Sequence, residues 1–128
     1  MNFSMTEHGF ETETPFGTLV ISSNDDYGFR PYQLLVSSLA VCSGGVMRKV
    51  LDKMRTPATN ISIEVKDIVR DENEADKVVK VHLHFVVEGP KINDKKMPRV
   101  LELTKKNCAM VQSVADSIEI IETYELCK

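Results

Sequence analysis

The sequence has no tryptophan, aromatic residues at only 6%, and just three cysteines. It contains no CxxC pair, so thioredoxin-type chemistry and four-cysteine zinc sites lack the residues they need. No unbroken run of about 18 apolar residues exists, the length that spans a bilayer, and no membrane partner is expected. The opening MNFSMTEHGF has neither a basic start nor an apolar stretch, so no secretory signal is expected, and structural disulfides are correspondingly unexpected. An excess of positive charge is also missing. Lys and Arg number 16 against 19 Asp and Glu, a net charge of −3, which argues against nucleic-acid binding through phosphate neutralisation. Repeats, linkers and low-complexity tracts are absent. What is present is 128 residues, 42% hydrophobic and 27% charged. That is the composition of a soluble, cytoplasmic, single globular domain over residues 1–128.

One local absence matters more. Residues 1–29 hold no Lys or Arg, yet they carry Glu7, Glu11, Glu13, Asp25 and Asp26. The same segment reads as extended. Phe3 and Met5 alternate with polar neighbours, as do Phe10, Thr12 and Thr14, and a third run follows at Leu19 and Ile21. With turns at His8-Gly9 and Pro15-Phe16-Gly17, this predicts a β-meander.

Pro31 then suits the first turn of a helix. From there to Arg55 the chain is apolar on most sides up to Val46, with charge returning at Arg48, Lys49, Asp52 and Lys53. A long helix buried nearly all round is expected, covered by sheet on more than one side and stopped by Pro57. Ile61, Ile63 and Val65 alternate with polar residues, as do Val79 through Val87, and DENEADK lies between them, which predicts a β-hairpin. A second helix is expected from about Asp94 or Met97 to Asn107, then a short one through Ser117, then a last strand, IEIIETYEL. The predicted order is βββ–α–ββ–α–β, an α+β fold.

Among the cysteines, Cys42 is the informative one, because Ser43-Gly44-Gly45 follows it inside the helix. Two adjacent helical glycines cost about 2 kcal/mol against alanines. A kink, a close helix contact or a substrate near the backbone would compensate. A break there would place Cys42 at the start of a second helical segment, whose free N–H groups favour a thiolate. The alternative is an inert core cysteine. Cys108 shares a predicted helical face with Val100, Leu101 and Thr104, and spacing alone does not pair it with Cys42. His82 and His84 form an H-x-H on one strand face, without a third metal ligand in view. Tyr27 and Tyr32 are candidate hydroxyls near the thiol. The small residues Ser37, Ser38, Ala40, Gly44 and Gly45 allow close helix packing, against a partner's helix or within the chain.

The segment from Pro31 to Cys42, P-x-x-L-L-x-x-S-L-A-x-C, and the segment from Asn107 to Val114, N-C-x-M-x-x-S-V, together resemble the OsmC/Ohr superfamily. These are the osmotically inducible protein C and organic hydroperoxide resistance proteins. The element order is similar over essentially the whole chain. The resemblance implies an OsmC-like α+β fold in an interleaved homodimer, acting as a cysteine-based peroxidase without metal, flavin or haem. It implies that Cys42 is the peroxidatic thiolate and Cys108 the resolving thiol. The partners it implies are a hydroperoxide substrate and an external dithiol reductant, with Tyr32, Gly44 and Gly45 near the substrate. The chain departs from the best-characterised branches at the activating pair. Tyr32 stands where those have Glu, and the N-terminal β region that carries their Arg has none here. Arg30 is about 18 Å from Cys42 along a straight helix, and Lys49 about 10 Å. A weak or inactive dimer that binds a small apolar ligand or senses oxidants is the alternative. Cys127 is read as a bystander.

Overall fold

The computed structural model describes residues 1–127. It divides into two compact units, Met1–Ser37 and the chain from Ser38 onward. The first unit is the predicted meander. Strands β1 (Ser4–Met5), β2 (Phe10–Glu13) and β3 (Thr18–Ile21) pair antiparallel in that order. Its turns close as the sequence suggests: the Thr6 N–H donates to the Gly9 carbonyl at 2.8 Å, and the Thr14 N–H to that of Gly17 at 2.9 Å. The His8 ring stacks on Tyr27 with centroids 3.7 Å apart. The sheet leaves Phe3, Met5, Phe10 and Phe16 exposed.

Helix α1 (Pro31–Lys53) begins in this unit and continues into the second. The second unit adds β4 (Asn60–Asp71), β5 (Lys77–Glu88), α2 (Met97–Asn107), α3 (Ala109–Val114) and β6 (Glu119–Cys127). A 3-10 turn at Asp94–Lys96 leads into α2, where Asn93 accepts the Lys95 N–H at 2.9 Å. Strands β4 and β5 form the predicted hairpin, and β6 returns parallel to β5, which makes β5 the central strand.

The sheet's two faces follow from period-two alternation. Val81, Leu83, Phe85 and Val87 of β5 are fully buried and share a face with Ile61 and Ile63 of β4 and with Ile120 of β6. Helix α1 contributes Leu39, Ser43, Met47 and Leu51, a buried stripe at four-residue spacing. Met97, Val100 and Thr104 of α2 and Val111 of α3 complete this core. By length and composition α1 would suit a bilayer despite its polar interruptions. Its place in this core accounts for the apolar residues of one side, a third of that stretch being buried.

Two expectations about α1 need correction. The helix is continuous through Gly44-Gly45, so there is no break at Cys42. The physical compensation is packing. A Cβ on Gly44 would lie 2.6 Å from Ile63 Cδ1, so the missing side chain lets β4 approach the helix axis. Gly45 faces open space. Nor is the helix buried all round: Val41 is 71% exposed, and Gly45 and Arg48 continue that open side. Within the second unit one three-stranded sheet covers one face of the helix only. The helix ends where Arg55 takes a left-handed conformation (φ 60°) and the Thr56 N–H reaches the Leu51 carbonyl at 3.0 Å, two residues before Pro57.

The Gly44 contact predicts a size exchange. Gly44→Leu should destabilise the protein by about 1–3 kcal/mol through overpacking. Adding Ile63→Ala should recover part of that loss, as read by urea denaturation. Additive losses would show that the two positions do not share this space.

Candidate active site

Cys42 and Cys108 are brought together by two local features. The first is the buried stripe of α1. Ser43 belongs to it and is fully buried, while Cys42, one residue back, sits half-buried at its edge. The second is a sharp turn between α2 and α3. Cys108 follows the last residue of α2 in extended conformation (φ −85°, ψ 108°) and is also the residue from which α3 starts. Side chains satisfy the end of α2, with Asn107 Nδ2 donating to the Leu103 carbonyl at 2.8 Å and Gln112 Nε2 to that of Lys105 at 2.9 Å. The Cys108 carbonyl accepts the first bond of α3, from the Gln112 N–H at 3.0 Å.

The first N–H groups of a helix have no partner within it. At the start of α3 no side chain caps them. The Met110 and Ala109 N–H groups act instead on the Cys42 thiol and lower it. The Met110 N–H is the strongest influence holding the Cys42 thiol below its ordinary value, followed by the Cys108 side chain. Burial opposes them, and Lys49 adds a smaller attraction. Free N–H groups therefore do support the thiolate, as the sequence suggested, but they come from α3 and not from a break in α1.

Cys108 is fully buried, and desolvation pushes its thiol up, while the Ser43 hydroxyl acts in the other direction. Ser43 Oγ donates to Cys108 Sγ at 3.4 Å. Ser43, the residue after Cys42, thus ties α1 to Cys108. Sequence reasoning missed Ser43 and the two N–H groups, and it missed Glu122 on β6, whose carboxyl lies within the influence of Ser43. The available signal for Glu122 was its parity: in IEIIETYEL it alternates in step with Ile120, which is core.

The remaining candidates fall elsewhere. Tyr32 lies in the first unit, with the Arg30 guanidinium 4.9 Å over its ring, and Arg30 Nε is 3.9 Å from Asp25. Gly44 and Gly45 line a groove of about 420 Å³ with Val41, Arg48 and Ile63. A second cleft of about 440 Å³ lies along α1 beyond Cys42, between Val46, Lys49, Val50 and Met54 and, across from them, Leu103 and Asn107. His82 and His84 point to the outer face of the sheet, where Thr123 Oγ1 bridges them at 2.8 and 2.7 Å and Glu125 holds His84 Nε2 at 3.0 Å. Cys127 is exposed at the end of β6, and Glu88 beside it pushes its thiol up.

The model of the OsmC-like protein family matches residues 23–123. The chain belongs to the OsmC-like family. Its fold is that of solved family structures. An OsmC-like protein from Mycoplasma pneumoniae superposes with a TM-score of 0.85 at 13% identity, covering 99% of this chain and 95% of that one. A hypothetical protein from Aquifex aeolicus VF5 also reaches 0.85, at 21% identity over 98% of this chain and 93% of that one. The organic hydroperoxide resistance protein OhrB of Bacillus subtilis gives 0.67 at 16% identity, over 97% and 95%. No curated protein sequence matches significantly.

The lowered Cys42 value carries a sign. Thiolate, the reactive form, should persist on Cys42 below the ordinary thiol range of about 8.5. Iodoacetamide should therefore label Cys42 before Cys108 at neutral pH, with a rate profile displaced to lower pH than that of a free thiol. Ala109→Pro removes one donor at a position where proline suits both the helix start and the extended Cys108 before it. It should move the Cys42 profile upward without loss of fold. An unmoved profile would remove the Ala109 N–H from the account.

Proposed function

We propose that this protein is a thiol-dependent peroxidase that reduces organic or hydrogen peroxide through Cys42, with Cys108 as the resolving thiol. The observation that carries this reading is the Cys42 sulfur itself. It is half-exposed, its thiol is lowered by the Met110 and Ala109 N–H groups and by Cys108, and the next residue, Ser43, donates to Cys108 at 3.4 Å. Membership of a family that includes an organic hydroperoxide resistance protein among its solved structures supports it.

The Cys42 thiolate attacks the terminal oxygen of the hydroperoxide, and the O–O bond breaks. The alkoxide (hydroxide, for hydrogen peroxide) leaves and takes a proton, and the sulfur becomes a sulfenic acid. Cys108 then attacks that sulfur, the S–O bond breaks, water is released and a disulfide forms. An external dithiol restores both thiols by exchange and is itself oxidised to a disulfide. The cleft between α1 and the end of α2 offers room for the organic part of a substrate, and Gly44, Gly45 and Tyr32 remain candidate substrate contacts.

The working form is a homodimer with interleaved chains. Val41 is 71% exposed beside Cys42, and Met110, which supplies the leading N–H, is 40% exposed. Apolar side chains this open around a reactive sulfur suit coverage by a second copy, as do Phe3, Met5, Phe10 and Phe16 on the first unit.

Cys42→Ser should abolish dithiol-dependent hydroperoxide consumption, and Cys108→Ser should leave Cys42 trappable as a sulfenic acid without the internal disulfide. Equal, negligible consumption by wild type and Cys42→Ser would instead favour a ligand-binding or oxidant-sensing dimer. For the assembly, Val41→Glu should shift the protein from dimer toward monomer in sedimentation. If wild type is already monomeric, the dimer is wrong.

A further inference from the structure

The cleft between α1 and the end of α2 starts close to both cysteines. On α1 its lining begins at Val46, one turn beyond Cys42, and continues through Lys49, Val50, Lys53 and Met54. Its other wall is Leu103 and Asn107, and Asn107 is the residue immediately before Cys108. At 3.6 residues per turn, Val46, Lys49 and Lys53 all lie within about 40° of Cys42 round the helix axis, so they extend the face that carries the thiol. The space is about 440 Å³. Its apolar surface comes from Val46, Val50, Met54 and Leu103, each only partly covered. Its charge is of one sign. Lys49 and Lys53 are exposed, and neither makes an ion pair among the described residues. No carboxylate is among the lining side chains. Asp52 falls between the lysines in sequence but lies about 80° from Cys42 round the axis. Glu102 of α2 is engaged by Arg99 at 2.6 Å.

An apolar slot that starts one helical turn from a reactive sulfur and is edged by two unpaired ammonium groups suits an anionic amphiphile. We propose that this cleft takes the organic part of the hydroperoxide and that Lys49 and Lys53 bind a carboxylate at its far end. The substrate class is then an alkyl hydroperoxide that also carries a carboxylate, with the oxidising and charged groups well apart. This rests on the peroxidase reading given above. The helical rise places Lys49 about 10 Å and Lys53 about 16 Å beyond Cys42, which sets the span between the two groups. The lysines are one turn apart, so a single carboxylate can sit between them. Their methylene stems lie along the apolar wall and extend it. A compact neutral hydroperoxide reaches the sulfur but uses neither the slot nor its charges. An exposed ammonium holds a carboxylate weakly, up to roughly fivefold per contact, so the preference is graded. Lys49 and Lys53 are specificity-determining residues, remote from the reacting atoms.

Oleate hydroperoxide and its methyl ester share a chain and an O–O bond and differ in charge. With dithiothreitol as reductant, kcat/KM should be roughly 3- to 10-fold higher for the acid than for the ester. The difference should lie in KM and shrink as salt is added. Because Lys49 also acts on the Cys42 thiol, the readout is each variant's acid-to-ester ratio, in which a change at the sulfur cancels. Lys49→Gln combined with Lys53→Gln should bring the ratio near unity. Lys53→Arg should keep it, and Lys53→Glu should lower it. These are exposed helix positions, so folded proteins are expected, with circular dichroism as the check. A wild-type ratio of unity, or a high ratio that survives the double substitution, would overturn the assignment. Titration calorimetry with oleate, which has no peroxide, separates this inference from the peroxidase reading. Suppose wild type consumes neither peroxide faster than Cys42→Ser, yet binds oleate severalfold more tightly than the double variant. The peroxidase reading would then fall while the cleft's preference for an anionic amphiphile stood. Oleate binding indifferent to both lysines would remove that preference.

Discussion

The chemistry proposed for this protein depends on the start of α3, whose first backbone N–H groups have no helical partner and lower the Cys42 thiol. They exist because Cys108 is extended between two helices, so that α3 begins afresh with its first donors uncapped. Those donors are aimed at Cys42 because Ser43 and its stripe pin that side of α1 into the core. If the turn at Cys108 were smoothed into one continuous helix, Ala109 and Met110 would use their N–H groups internally. Cys42 would then be left with the Cys108 side chain and Lys49 lowering its thiol against the opposing effect of burial. A negative sulfur is supported here by geometry of the main chain more than by any side-chain cation.

The two thiols are pushed in opposite directions by environments a few ångströms apart. Cys42, at the edge of the core, receives donors and stays partly open, and its value falls. Cys108, wholly enclosed, is desolvated and rises. Paired titratable groups separated in this way have distinct jobs. In the proposed reaction the lower one suits the nucleophile and the higher one the thiol that acts second.

Much of this architecture was legible in the sequence because alternation and periodicity report burial directly. The meander, the long helix, the hairpin, the helix from Met97 to Asn107 and the final strand all appear where patterning places them. The motifs singled out Cys42 and Cys108, and the fold sets Ser43, beside Cys42, against Cys108. What patterning could not give was orientation. The glycines at 44 and 45 read equally well as a break or as a close approach, and only the position of Ile63 on a strand some twenty residues away decides between them. The N–H donors carry no sequence signature, because every residue but proline has one. The open side of α1 was likewise invisible, since Val41 has the same hydropathy whether it faces a core or solvent.

The late position of the Cys108 turn has a consequence for how the chain is made. Helix α1 leaves the ribosome first, and the turn at Cys108 follows 66 residues later in the sequence. At cellular elongation rates that gap lasts roughly 3–13 s. During it the nascent Cys42 lacks both its main-chain donors and its companion thiol, so it behaves as an ordinary, sluggish sulfhydryl. The surroundings that lower this thiol are assembled only once the later turn has been made.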